Sequence, residues 1–546
     1  MKIIKELFTK YSDWLLVLSI GFIAVASLLS SGLPPTHDGE YHVLRFQQFY
    51  KVLSEGSLYP RWAPDFNNGF GIPLFNYVYP LPNYIASALH ILGFSFIDSF
   101  KLNMILASLT GSFFFYLWTK SYWGKAGGLV SSVFYTFSPY HLVDIYVRGS
   151  VGEVWALGVF PILLWSYLNF HKKNSYIFFI ISCLSLSLVI LSHNILALLF
   201  FGFFIFYALF LILNSDNIKS GIIWLIVIIF TGFGISSPFW LPAILETNLV
   251  RGLQIFDPTK NFPEIYQLTI PSWGYGLSPS DLANPMSVQI GVANILSFIL
   301  SLALIFFYKN KKTLLFFISS FIVVFFFMTS FSEPLWRQLP LLSYFQFPWR
   351  LLSLEILIAS LLAGALPKAI GNKKFKVFIT ITIVTFAVAT SLSYARGATY
   401  YQRNDDHYLT RSNFTDGTNS PGNVFNTRWL SEIPKKSNSK FEFIQGKGDL
   451  KVLDLRSVDY KLVINAEENS KLLVNTAFFP GWIYKMDGRK INVQNFRGKI
   501  LIEVPKGSHF VEIKLTNTLI QNLSYLYLCI SVVLLVFIRK RIGIIK

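Results

Sequence analysis

Long apolar runs separated by short polar loops make up most of this chain. Runs of this length are those that cross a bilayer core of roughly 30 Å. The pattern predicts about twelve transmembrane helices. They are centred on residues 14–30, 100–118, 126–143, 154–170, 176–191, 195–213, 222–242, 288–307, 314–331, 351–366, 377–392 and 519–538.

The Lys and Arg residues of the short loops predict which way the chain is inserted. With the N-terminus inside, about 19 of them lie on the inner side and about 8 in the short outer loops. An even number of spans then places the C-terminus inside as well. We therefore expect a cell-membrane protein with multiple passes and two cytoplasmic termini.

Three outer segments are longer than simple loops. Residues 31–97 are rich in aromatic residues, and we expect short helices lying on the membrane surface there. Residues 243–287 are rich in Pro, Gly and Trp. The third segment, 394–517, begins as a polar linker and then alternates apolar and polar residues from 440 to 516, which predicts a small β-sandwich. Asp487-Gly488 is a hairpin signal within it.

This pattern predicts three parts. Residues 1–393 form a transmembrane domain with the long outer loop 31–97, residues 394–517 an extracytoplasmic linker and β-domain, and residues 518–546 a final helix with a basic cytoplasmic tail. The fold class is thus a polytopic α-helical membrane protein with an extracytoplasmic β-sandwich inserted before its last helix.

Composition supports a membrane protein and argues against a nucleic-acid partner. The chain is 53% hydrophobic and only 14% charged, whereas soluble proteins carry about 25% charged residues. The formal net charge of +18 comes from Lys and Arg clustered in loops, as membrane insertion requires. The two cysteines both lie in apolar runs, so a disulfide framework is not expected.

The first candidate site follows the first predicted span directly. Residues His37, Asp38, Glu40 and His42 crowd the mouth of a membrane helix, where charge is costly unless it has a task. Asp38 is the leading candidate for a general base on an acceptor hydroxyl. Its carboxylate and that of Glu40 could alternatively bind a divalent cation, and the residues could also belong to an ordinary hydrated loop.

A second set of charged residues lies in the next outer turns. Asp144, Arg148 and Glu153 bracket the turn before the span at 154–170, and His193 lies at the outer turn before residue 195. Glu153 could face Asp38 as a second acid or metal ligand, while Arg148 could bind an anion bidentately. The alternatives are an Arg148–Glu153 ion pair that only holds the turn, and a capping role for His193.

Two further outer residues could bind substrate. Arg350 opens the span at 351–366 beside a tryptophan and could grip a lipid phosphate, or anchor the helix at the interface. Trp273, in the second long outer segment, could stack on a sugar ring or simply anchor its own loop.

These motifs resemble those of known membrane proteins. An acidic motif after the first span and a second acid in the next outer loop resemble the GT-C glycosyltransferase superfamily. The segments 146–153, 191–194 and 345–350 resemble more closely the prokaryotic membrane proteins called "6-pyruvoyl-tetrahydropterin synthase-related" and their YfhO-like relatives. Residues 479–509 resemble the outer β-domain of the YfhO-like group. The pterin-synthase label itself fits poorly, because the zinc-binding His cluster of that soluble enzyme is missing from the sequence.

The resemblance implies transfer of a sugar from a polyprenyl-phosphate carrier to a glycan, lipid or protein acceptor of the cell envelope. In that hypothesis Asp38, Glu40 and Glu153 are the catalytic residues and candidate ligands for a divalent metal, Mg or Mn. The residues His37, His42, Arg148, His193, Arg350 and Trp273 bind substrate or phosphate. A lipid or glycolipid transporter or flippase, and a noncatalytic membrane scaffold, are the alternative functions.

Overall fold

A bundle of apolar helices and a two-sheet β-region make up the computed structural model, which describes residues 2–252, 257–281, 283–308, 311–410 and 423–539. The helices of the described chain, numbered in order, are α1 Lys2–Ile23, α2 Gly39–Ser54, α3 Leu81–Ile91, α4 Phe96–Thr136, α5 Pro139–Val143, α6 Val151–Lys173, α7 Tyr176–Ser192, α8 Asn194–Leu213, α9 Ile218–Leu245, α10 Ile265–Thr269, α11 Val292–Leu304, α12 Lys312–Met328, α13 Glu333–Gln338, α14 Pro340–Ser343, α15 Leu352–Ala363, α16 Ala365–Lys368, α17 Lys373–Ser391, α18 Asp405–Thr410 and α19 Leu519–Ile538.

Within the described ranges, seven helical segments are long and apolar enough to cross a membrane. An eighth arises if Lys312–Met328 and Ser330–Gln338, which meet at a bend of 83°, count as one broken span. Ser12–Ile23, Tyr176–Ser192 and Val292–Leu304 are apolar but shorter. The predicted number of about twelve spans is therefore not confirmed, although each predicted segment overlaps a helix.

Part of this difference lies in α4, which joins two predicted spans. Its 41 residues are about twice the roughly 20 that one span needs, but they do not form one continuous helix. Gly124 interrupts the helix with φ 75° and ψ −175°, a conformation that glycine adopts without a steric penalty. The two halves of α4 therefore correspond to the segments predicted at 100–118 and 126–143.

The loop after α1 folds into short helices rather than extended chain. It contains α2 and α3, both shorter than a span, and α2 buries one face that includes Val43, Phe46 and Phe49. Its aromatic residues pack into the same hydrophobic cluster as the long helices. We call the end of the bundle at which this loop lies the motif end, because it carries residues 36–42.

The β-region consists of two antiparallel sheets, ordered β1-β4-β8-β7 and β2-β3-β9-β5-β6. Alternate residues of the central strands are buried, as for Tyr460, Leu462 and Ile464, and the two sheets share one hydrophobic cluster. Asp487 and Gly488 both have positive φ at the β5–β6 hairpin, as the sequence predicts. The strands are β1 Phe441–Gln445, β2 Gly448–Leu455, β3 Asp459–Ala466, β4 Ser470–Ala477, β5 Trp482–Met486, β6 Arg489–Lys490, β7 Gln494–Phe496, β8 Lys499–Val504 and β9 Gly507–Leu515.

Trp62 of the first long loop joins the β-region to the helical bundle. Its side chain is 1% exposed and packs within the β-region's own core, 6.1 Å from Phe479 and 5.5 Å from Trp482 between ring centroids. The backbone N–H of Ala477 donates to the carbonyl of Phe70 at 2.8 Å. The loop and the β-region therefore share one core.

We predict that Trp62→Ala destabilises the protein by about 3–5 kcal/mol, because it leaves a cavity in this shared core. Thermal unfolding in detergent measures the loss. Limited proteolysis should show faster cleavage between residues 394 and 440, since the β-region loses its packing against the Trp62 side chain. Trp62→Phe is the control and should lose less; an unchanged melting temperature in Trp62→Ala would show that the two parts are held together by other contacts.

Candidate active site at the motif end

Two loops meet by backbone hydrogen bonds to form the floor of the site. The N–H of His37 donates to the carbonyl of Val147 at 3.0 Å, and that of Asp38 donates to the carbonyl of Arg148 at 2.9 Å. Gly149 has φ 63°, and a Cβ there would lie 2.2 Å from Oγ1 of Thr36. Position 149 therefore requires glycine for two reasons, its positive φ and the close approach of the two loops.

The Arg148 guanidinium lies between two buried carboxylates. Nη2 donates to Glu153 Oε1 at 2.7 Å, and Nη1 donates to Glu153 Oε2 and Asp144 Oδ1, both at 2.5 Å. Asp144 and Glu153 are fully buried and Arg148 is 6% exposed. A five-residue π-helical turn, Asp144–Arg148, brings the first acid to the arginine, and the start of α6 brings the second.

Glu153 is the centre of a wider cluster that other helices complete. Arg350 Nε lies 3.3 Å from Glu153 Oε1, and the Tyr140 hydroxyl donates to Oε2 at 3.4 Å. His193 Nε2 is 3.8 Å from Oε1. Tyr140 and Arg148 are close to Glu153 in the chain, whereas His193 and Arg350 come from distant helix ends, so the buried carboxylate brings these separate segments together.

Burial and mutual repulsion set the protonation of this cluster. Burial and the neighbouring Glu153 carboxylate raise the pKa of Asp144 well above its usual value. Burial lowers the pKa of His193 to about 3, so its imidazole is neutral at physiological pH. The Leu196 N–H donates to Nδ1 of His193 at 3.2 Å, which leaves the ring proton on Nε2, facing Glu153.

Two guanidiniums lie against the Glu153 carboxylate, one from Arg148 and one from Arg350. Trp349 lies beneath the guanidinium of Arg148, with 5.1 Å from Cζ to the ring centroid. A pair of buried guanidiniums is chemically suited to binding an anion such as phosphate.

Asp38 interacts electrostatically with Arg350 of this cluster and with two residues that the sequence analysis missed, Arg45 and Tyr79. Burial lowers the pKa of Arg45, and the negative charge of Asp38 opposes this shift. Burial raises the pKa of Tyr79, and the carboxylates of Asp38 and Glu153 both act on it. A signal was available: residues 38, 42 and 45 repeat at the i, i+4, i+7 spacing of one helix face.

The two candidate histidines of the motif lie around Asp38 in different surroundings. His37 Nε2 is 3.1 Å from the Tyr275 carbonyl, which ties the motif to the second long loop. His42 is 3% exposed and is surrounded by the rings of Phe46, Tyr79 and Phe100. Burial lowers the pKa of both imidazoles.

Glu40 and Trp273 are two candidate residues whose side chains make their contacts away from the Glu153 cluster. Glu40 forms an ion pair with Arg403 and lies 3.4 Å from the Tyr408 hydroxyl, both in the segment after α17. Trp273 stacks against Tyr394 at 4.5 Å with an interplanar angle of 6°. Neither is part of the Glu153 cluster.

Asp38, Glu40 and Glu153 do not fit a common metal centre. Glu40 is engaged by Arg403, and both oxygens of Glu153 accept hydrogen bonds from Arg148. In the described part of the chain, no group of three or more His, Cys, Asp or Glu side chains is placed to hold a metal ion. We therefore assign no step of the chemistry to a metal.

Known proteins are similar to this chain in part. A family model described as "6-pyruvoyl-tetrahydropterin synthase related domain; membrane protein" matches residues 75–396. An uncharacterized protein of Lactococcus lactis subsp. cremoris (strain MG1363) is 26% identical over an alignment of 262 residues. The alignment covers 45% of this chain and 42% of that protein. The alignment thus spans less than half of that relative.

A solved structure also aligns with part of the chain. The crystal structure of the Archaeoglobus fulgidus oligosaccharyltransferase in the apo form covers 71% of this chain and 56% of its own, with a TM-score of 0.44 and 13% identity.

We predict that Arg148→Gln destabilises the protein by about 3–5 kcal/mol, because it removes the guanidinium that both buried carboxyl groups bind. The double variant Arg148→Gln with Glu153→Gln should recover part of this loss, since the buried Glu153 charge is then absent. Thermal or denaturant unfolding in detergent measures both. Arg337→Gln, which removes an exposed ion pair with Glu333, is the control and should cost less than about 1 kcal/mol. A double variant less stable than the single one would contradict the ion-pair account.

We predict that His193 makes the protein less stable in acid. Its pKa is about 3 in the folded protein and 6.5 ordinarily, so the unfolded chain binds the proton first as the pH falls. The free energy of unfolding therefore decreases below about pH 6.5, by roughly 2 kcal/mol at pH 5. His193→Asn retains a capping acceptor for α8 and should show a smaller drop in melting temperature between pH 7.5 and pH 5. An equal drop in both proteins would refute the assignment.

Proposed function

The chain belongs to the family of membrane proteins described as the 6-pyruvoyl-tetrahydropterin synthase related domain, and from that premise we propose that it is a glycosyltransferase. In this proposal the motif end faces the extracytoplasmic side, and the donor is a sugar linked to a polyprenyl phosphate. The observation that carries the proposal is the buried cluster of Arg148 and Arg350 around Glu153, to which the backbone of Asp38 is hydrogen-bonded.

A synthase acting on a pterin is disfavoured by the same residues. That chemistry needs a histidine-based zinc site, and among the described residues no group of three or more His, Cys, Asp or Glu side chains is placed to hold a metal ion. The charged groups instead converge at the end of membrane helices, where a lipid-linked phosphate and a polar acceptor can meet.

The proposed reaction begins with Asp38 as general base. It removes the proton of the acceptor hydroxyl, and the oxygen attacks the anomeric carbon of the sugar. The bond between that carbon and the phosphate oxygen breaks, and the polyprenyl phosphate leaves with the electron pair. Attack from the side opposite the phosphate inverts the anomeric centre.

Arg148 and Arg350 stabilise the negative charge that develops on the leaving phosphate. Preorganised cations in a water-poor site contribute strongly to such stabilisation, because they need no reorientation during the reaction. Glu153 is a positioning residue in this scheme: its two oxygens accept bonds from Arg148, so it orients the guanidiniums and is a poor base. His193 is neutral and carries its proton on Nε2, so this N–H is directed to the Glu153 carboxylate.

Roles for the remaining candidates follow from their positions. Arg45 and Tyr79 interact electrostatically with Asp38 and would orient the acceptor or the sugar. Glu40, bound to Arg403, would hold the segment after α17 over the motif. The acceptor, whether a glycan, a lipid or a protein of the cell envelope, would approach from the side of the β-region.

We predict that Asp38→Asn lowers transfer by roughly 10²- to 10⁴-fold, the usual contribution of a general base. The measurement is transfer of radiolabel from polyprenyl-phosphate sugars to membrane acceptors by the purified, reconstituted protein. Asp216→Asn is the matched control, because Asp216 is exposed in the loop between α8 and α9, and it should transfer as wild type does.

Two results would contradict the proposal at different points. If Asp38→Asn transfers as well as wild type, the general-base assignment is wrong. If wild type neither releases nor transfers sugar from any polyprenyl-phosphate donor, the glycosyltransferase proposal fails and a transporter or scaffold function is favoured.

A further inference from the structure

A third buried arginine, Arg61, lies in the first long loop at the motif end and contacts two membrane helices. Its guanidinium donates to Asn76 Oδ1 at 3.0 Å, to the Pro238 carbonyl of α9 at 3.3 Å and to the Tyr525 hydroxyl of α19 at 3.4 Å. Its Cζ also lies 4.5 Å from the ring centroid of Tyr59. The residue is only 8% exposed.

Arg61 differs from Arg148 and Arg350 in having no direct counter-charge. No carboxylate lies within 4.0 Å of its guanidinium among the residues that the structure describes. The nearby Glu246 reaches it only through an intervening amide, because Gln521 Nε2 lies 3.4 Å from both Asn76 Oδ1 and Glu246 Oε2. Glu246 also accepts a hydrogen bond from the Thr518 hydroxyl. A buried guanidinium without an adjacent anion is costly.

Three buried donors around this guanidinium lack an acceptor. They are Arg61 Nε, Asn76 Nδ2 and the Tyr59 hydroxyl. The orientation of the Asn76 amide is fixed, since its oxygen accepts from Arg61 and from Gln521. Burial raises the pKa of Tyr59, so its hydroxyl remains a donor. Buried donors in folded proteins are nearly always satisfied, so a cluster of three points to a missing acceptor.

We propose that Arg61, Asn76 and Tyr59 bind the phosphate group of a lipid. Phosphate supplies the negative charge that Arg61 lacks and the acceptor oxygens that all three donors lack. The surroundings favour a lipid as its source. Both α9 and α19 are long and apolar enough to span a membrane, and Leu58, close by in the chain, is 85% exposed.

The site lies outside the Glu153 cluster but is connected to it by one short segment. Asn76 is followed by Tyr77, whose carbonyl accepts a hydrogen bond from Asn194 Nδ2 at 2.9 Å, and Tyr79 packs 5.1 Å from His193 between ring centroids. The phosphate could therefore belong to a resident phospholipid or to a polyprenyl phosphate. The inference does not depend on the proposed transferase activity.

The test uses the full chain, purified in a neutral detergent and stripped of lipid. Melting temperature and native mass spectrometry are recorded with phosphatidylglycerol, with a polyprenyl phosphate, and with diacylglycerol, which lacks the phosphate. We expect a phosphate lipid to bind and to raise the melting temperature, and diacylglycerol to have no such effect. Arg61→Gln should weaken the apparent affinity roughly ten- to a hundredfold. Arg337→Gln, which changes an exposed arginine of α13, is the matched control.

Asn76→Asp is a second variant that keeps the test decisive if Arg61→Gln does not fold. Its carboxylate would lie beside Arg61, supply the counter-charge and remove a donor. It should therefore melt higher than wild type without lipid and lose the response to phosphate lipids.

The comparison of the three lipids identifies which kind of lipid supplies the phosphate. A response to phosphatidylglycerol as strong as that to polyprenyl phosphate indicates a structural phospholipid, whereas a response to polyprenyl phosphate alone indicates a carrier lipid. The proposal is overturned if Arg61→Gln and Asn76→Asp respond as wild type does, or if diacylglycerol stabilises wild type equally well. None of these measurements requires sugar transfer, so they stand or fail independently of the transferase assay.

Discussion

The burial of the Arg148 guanidinium between Asp144 and Glu153 is the constraint on which the motif end depends. Charges at the end of a membrane bundle are costly unless they are paired with good geometry. The π-helical turn carries Asp144 and Arg148, the first turn of α6 carries Glu153, and Arg350 lies at the start of its own span. The ion pairs form only if these three elements keep their relative positions. The backbone bonds from residues 37 and 38 to this turn then fix the acidic motif against it.

This constraint separates the roles of the carboxylates. Glu153 is saturated by Arg148, so it serves to orient positive charge, whereas Asp38 contributes its backbone to the turn and leaves its side chain beside the cluster. Helix α2 connects this position with the β-region. It begins directly after Asp38, and Glu55 at its C-terminal end accepts hydrogen bonds from the backbone N–H and the hydroxyl of Ser457. Helix α2 thus connects the motif directly with the β-region.

The sequence predicted the broad architecture because its signals are local. Apolar runs identified helical segments, and two-residue alternation identified β2, β3, β4, β8 and β9. The number of spans was harder to predict, since two predicted spans share the segment Phe96–Thr136, which is interrupted at Gly124, and α7 and α11 are short. The acidic motif and Arg148, Glu153, His193 and Arg350 were found because charged residues at the ends of apolar runs are conspicuous.

The partners of these residues could not be read from the sequence. Arg403 pairs with Glu40 across 363 positions of the chain, and Tyr394 covers Trp273. Arg45 and Tyr79 were missed because their importance comes only from facing Asp38. The sequence by itself thus determined a membrane bundle, a β-region and the chemical types present at one end. Only the tertiary structure decided how each carboxylate is paired and which arginine has no carboxylate next to it among the described residues. The reason is that most of these pairs join segments that are remote in the chain.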